Sequence, residues 1–183
     1  MSYNQRIAST TNYGVVKVGA GITENNGVIS AAIANNYGFV TSVATQTNTV
    51  ANAVNIVTYD TLGPASGISI SGGNSIVVAN TGTYTQIFSI ITNKTSGGTA
   101  VVSFWLRKNG VDLVGSSQEL PLTNNLSAVF ISGNYTLDML AGDNIQMCWS
   151  SADVTTSLTA LAPLTGPVRP SGYSAKITLT RNS

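Results

Sequence analysis

The chain has 183 residues, 43% of them hydrophobic, which is enough apolar surface for one substantial core and at most two modules. Only 8% are charged and the net charge is +1, so there is no cluster of Lys or Arg to grip phosphate, and nucleic acid is excluded as a partner. One cysteine and no histidine exclude an internal disulfide, a cysteine-built metal site, the Ser-His-Asp and Cys-His nucleophile systems and the usual general base.

The opening residues, Met1 to Arg6, lack the apolar run of a secretion signal. Apolar stretches elsewhere are short and broken by Ser, Thr or Gly, so no membrane insertion is expected. Residues 1–36 read as a separate N-terminal segment. Gly14, Gly19, Gly21 and Gly27 punctuate two short β-branched runs, residues 15–18 and 28–30. Strands this short bury too little to stand alone. They form either a terminal hairpin on the main domain or an interchain anchor or shaft. Gly19-Ala20-Gly21 is no phosphate cradle, because no helix and no Lys-Ser/Thr pair follows it.

Residues 37–183 show short strands separated by turn signals, the pattern of a sandwich or barrel. Val40, Val43, Thr47, Val50, Val54 and Val57 follow coiled-coil steps, but the Thr, Asn and Ser between them make a poor helix, and strands are predicted there. Ile68 and Ile70 alternate with Ser69 and Ser71, giving one dry face and one wet. Tyr84, Phe88 and Ile90 are predicted to face one side of their strand, with Ile87 and Ile91 on the other. Val102, Phe104 and Leu106 likewise oppose Val101 and Trp105. Strands apolar on both faces need a second cover. Subunits packed around a shared axis would supply it.

Arg107-Lys108, the one adjacent basic pair, is expected in a solvated loop beside the Asn109-Gly110 turn. That dipeptide predicts a type I′ hairpin, whose two central residues need positive φ. Asp138, Asp143 and Asp153 are the local acidic group, and structural roles are expected for them. Cys148 between Met147 and Trp149 is predicted to be a buried thiol. Ala175, Ile177 and Leu179 alternate with Lys176, Thr178 and Thr180 in the closing strand. Catalytic, cofactor and metal residues: none are predicted. Candidate binding loops are residues 94–99, 123–126, 150–156 and 163–172.

Three segments together resemble the trimeric jelly-roll family of tumour necrosis factor and the globular complement head. TGTYTQIFS (81–89) is similar to the family's Gly-x-Tyr strand, with Gly82, Tyr84 and Phe88 in place. DMLAGDNIQMCWS (138–150) resembles its Leu-x-x-Gly-Asp turn through Leu140, Gly142, Asp143 and Ile145. SFWLRKNGVDLVG (103–115), GFVTSVATQTN (38–48) and NIVTYD (55–60) look like strands of the versions carried by tailed phages and large DNA viruses. The closing SAKITLTRNS departs from the animal members, so their receptor mode does not carry over. TTNYGVVKVGAGITENNGVIS (10–30) resembles a shaft repeat of phage tail fibres.

The resemblance implies an all-β, homotrimeric jelly-roll sandwich preceded by a short β-rich anchor or shaft. It implies a non-enzymatic virion protein, assembled in the host cytoplasm. Such a fibre is held on the particle by other virion proteins through its N-terminus and exposes its head to a host-surface glycan or protein. A capsid decoration or cement protein is the alternative. A secreted cytokine-like ligand comes third.

Overall fold

A computed structural model describes residues 22–25, 28–31, 35–123 and 129–182. Their strands are β1 (Ile22–Asn25), β2 (Val28–Ala31), β3 (Tyr37–Ser42), β4 (Gln46–Thr47), β5 (Asn55–Ile56) and β6 (Thr61–Ser66). There follow β7 (Ile68–Ser71), β8 (Ser75–Val78), β9 (Gly82–Lys94), β10 (Thr99–Lys108), β11 (Val111–Asp112) and β12 (Gln118–Thr123). The last six are β13 (Val129–Met139), β14 (Asn144–Ser151), β15 (Thr156–Leu158), β16 (Leu164–Thr165), β17 (Val168–Arg169) and β18 (Ala175–Arg181).

The chain divides into two compact units, Met1–Ala34 and Asn35–Ser183. In the first, β1 pairs antiparallel with β2, Ile22 opposite Ala31. The run 28–30 falls in β2, whereas residues 15–18 and 19–21 lie outside the described residues.

The second unit is a two-sheet sandwich. One sheet runs β6-β3-β18-β9-β13 and carries β15 and β4 beside β9; the other runs β7-β8-β14-β10-β12. Eight principal strands, β3, β8, β9, β10, β12, β13, β14 and β18, pair antiparallel first with last, second with seventh, third with sixth and fourth with fifth. That nested pairing is a jelly roll.

Side-chain alternation explains why these segments became strands. Tyr84, Phe88 and Ile90 of β9 and Val40, Ile177 and Leu179 of its neighbours point inward. They meet Phe104, Leu106, Met147 and Trp149 from the facing sheet. Ser69 and Ser71 point to water while Ile68 is buried. The coiled-coil spacing over 40–57 produces no helix; β3, β4 and β5 occupy it. Asn109 and Gly110 adopt φ of 49° and 81°, as a type I′ turn requires, and Lys108 pairs with Val111 across it.

Asn36 is part of the sandwich. Its amide donates to the Gly67 carbonyl at 3.3 Å, its side-chain oxygen accepts from Asn80, and its carbonyl accepts from the Arg181 amide at 2.8 Å. The Tyr84 hydroxyl donates to the Asn80 carbonyl four residues upstream at 2.7 Å, tying down the arch between β8 and β9. Gly67 sits at φ 63° directly over the Asn36 amide, leaving no room for a Cβ.

Candidate interaction surfaces

Register builds one continuous outward face on the first sheet. Phe39 lies opposite Thr178, Thr178 opposite Ile87, and Ile87 opposite Asn134, so one row crosses β3, β18, β9 and β13. Farther along, Ile91 pairs with Phe130, and Tyr173 meets Phe39 edge-on with ring centroids 6.2 Å apart. Ile87 is 54% exposed, Phe130 58% and Tyr173 43%. The outward positions between them are filled mainly by Thr, Ser and Asn; of the outward positions on β3, β9, β13 and β18, only Lys176 and Asp138 carry charge, because Lys94 and Arg181 fall on the inward alternation. An apolar strip with so little charge is ready to be covered.

The two ends of the sandwich differ. At one, Asn36 meets Arg181, Asn182 meets Thr83, and the 109–110 turn meets Asp143 and Asn144. The other gathers the ends of β9 and β14 and the starts of β10 and β18. The predicted binding loops that lie among the described residues leave from this second end, opposite Asn36. Residues 124–126 lie outside the described residues. Two of the expected loop spans are shorter than anticipated: Lys94 is the buried last residue of β9, and Ser150 and Ser151 belong to β14. Residues 163–172 are not plain loop either, since β16 and β17 pair within them and Leu161 bridges Gly172.

Lys94 and Asp153 pin this end. The Lys94 ammonium lies 2.5 Å from the Asp153 carboxylate with none of its side chain exposed. It also donates to the carbonyls of Ser96 and Gly97 at 3.0 Å and to the Ser96 hydroxyl at 2.7 Å. Lys94, then the Thr155 hydroxyl and amide, hold the Asp153 carboxyl down at about 2. Asp143 is held at about 2 as well, by Lys108, Asn109 and the Leu140 amide. Asp138 accepts from the Thr83 hydroxyl at 2.7 Å. Asp153 therefore pairs separately at the loop end, whereas Asp138 and Asp143 meet around Lys108, whose ammonium donates to the Asp138 carbonyl at 2.7 Å as well as pairing with the Asp143 carboxylate.

Arg107 and Lys108 do not sit in a solvated loop. Both end β10, where alternation sends them to opposite faces: Arg107 to Asp112 at 2.7 Å and Lys108 to Asp143 at 2.8 Å. Cys148 is buried in β14, and burial pushes its thiol up to about 11. No group of three or more His, Cys, Asp or Glu among the described residues is placed to hold a metal ion.

A cleft of about 460 Å³ opens on the outward face of the second sheet, near the loop end. It is lined by residues 99–101 and 103 of β10, alternate residues 119–123 of β12, the end of β14 with Ala152 after it, and Asn52. Segments so far apart in sequence give no local signal of a shared site.

No protein-family model matches the chain, and no curated protein matches it. Solved structures similar to it include murine APRIL, at 11% identity over 80% of this chain and 98% of that one, with a TM-score of 0.49. The globular domain of a zebrafish complement 1qA protein is similar at 15% identity over 81% and 98%, also at 0.49. The jelly-roll assignment stands on the strand pairing described above.

Proposed function

We propose that this chain is a non-catalytic, homotrimeric virion protein, a short fibre held on the particle by its N-terminal segment and exposing its jelly-roll head to the host surface. One observation carries the assembly part: the outward strip of Phe39, Ile87, Ile91, Phe130 and Tyr173. A second copy is its natural cover, because a face with so few charges leaves little unpaired when it meets a surface of the same chain. The number three and the virion setting come from the sequence resemblance of residues 10–30 and 37–183. The polarity of the sandwich supports the attachment geometry, since Asn36 enters at the end opposite the loops.

A capsid decoration protein is the second reading. It draws on the loop end itself, where the charges of Lys94 and Asp153 are spent on each other. Electron microscopy of particles labelled through this chain separates the two. Label on tail or baseplate fibres supports the first reading, label spread over the capsid shell supports the second, and particles without label contradict both.

A further inference from the structure

We infer that the cleft on the second sheet binds an uncharged pyranose unit of a surface glycan. The register sets its chemistry. Ser103 of β10 lies opposite Glu119 of β12 and Ser150 of β14, so a hydroxyl, a carboxylate and a second hydroxyl stand in one outward row. In the next row Val101, 46% exposed, faces Pro121. Polar groups beside a flat apolar step match a sugar ring, which offers hydroxyls at its rim and C–H groups on its face.

The polar groups are available. Among the described residues Glu119 has no ion pair or hydrogen bond, whereas Asp60, Asp112, Asp138, Asp143 and Asp153 all have partners within the protein. The hydroxyls of Ser103 and Ser150 and the side-chain amide of Asn52 likewise have no partner among the described residues. Asn52 is held at the cleft by its backbone, at φ 61° with its backbone N–H donating to the Ser151 carbonyl at 2.9 Å. A carboxylate accepts two hydroxyl donors side by side, and charge-assisted bonds of that kind are the strong ones. Among the described residues no Lys or Arg lines the cleft, so an anionic sugar would meet Glu119 without compensation. A volume of about 460 Å³ is within the range of small-ligand sites.

The inference rests on the proposed function only in taking the glycan to be displayed on a surface. It is also compatible with the proposed assembly, because the cleft and the apolar strip lie on opposite outer faces of the sandwich.

Saturation-transfer NMR on the full chain tests it, with methyl β-galactoside, methyl α-glucoside and N-acetylglucosamine as neutral probes. N-acetylneuraminic acid and N-acetyl-lysine amide serve as anionic and cationic probes. At least one neutral pyranoside should bind at millimolar concentration, the anionic sugar should not, and Glu119→Ala should weaken binding about tenfold. Ser150→Trp, which fills the cleft from a second strand, should abolish it. Binding of the lysine probe alone, binding that survives both substitutions, or no binding of any neutral probe would overturn the inference. Sedimentation of the same sample keeps the two readings apart. A trimer that binds no neutral sugar removes the cleft and leaves the assembly; a monomer that binds one does the reverse.

Discussion

Asp153→Asn should be the most damaging of the simple charge removals, because it strands a buried ammonium. Lys94 has no side-chain exposure, whereas Asp112 in the Arg107 pair is 54% exposed. Breaking a buried pair from one side costs about 3–5 kcal/mol, and an exposed pair is worth at most about 1 kcal/mol. Urea denaturation of Asp153→Asn and Asp112→Asn should show that gap, and equal losses would contradict it. Gln86 points the other way. It is fully buried on β9, and neither end of its amide has a hydrogen-bond partner among the described residues. Gln86→Met keeps the volume and removes the polar cost, so it should stabilise the fold by about 1 kcal/mol. A clear loss of stability would show that the amide is engaged in solution.

The pH profile follows from the same groups. Asp143 and Asp153 have folded pKa values of about 2, below their ordinary 3.8. Depressed acids contribute stability that is complete above the unfolded value and lost as pH falls through the folded one. Stability should therefore fall between about pH 4 and 2. Cys148 is raised from 9.0 to about 11, so stability should fall again as pH climbs through that window. With no histidine, the curve between is expected to be flat. Thermal melts across pH 2–11 check it, and a steep step near pH 6.5 would contradict the assignment.

At the scale of elements, what could be read in advance was whatever has a local cause. The alternation of Ile68 with Ser69 and of Ile177 with Lys176 is a period-two signal, and both strands formed where it stands. Asn109-Gly110 is legible because its positive φ is demanded by those two residues. Gly110→Ala should therefore cost about 1 kcal/mol of stability, while Asn109→Gly stays close to neutral in the same urea experiment. Long-range contact was not legible. Lys94 read as the start of a candidate binding loop, yet it ends β9 and its pairing with Asp153 spans the gap to the loop after β14. Arg107 and Lys108 looked like neighbours, but a strand sends them to different carboxylates. The cleft joins Ser103, Glu119 and Ser150 only through sheet register, which no window of sequence contains.

At the scale of the whole molecule, the two compact units suggest where function divides. A chain beginning at Asn35 keeps Asn36 and its bonds to Gly67 and Arg181, so it should fold and assemble. On the proposed reading it should fail to join particles, and its recovery on virions would remove the anchor role from residues 1–34. The apolar strip around Ile87 is the claim on which the rest depends. Analytical ultracentrifugation of the full chain at micromolar concentration measures it directly, alongside Ile87→Arg. The account predicts three times the chain mass for the parent and dissociation or aggregation for the variant; a monomeric parent, or a variant that sediments unchanged, would contradict it.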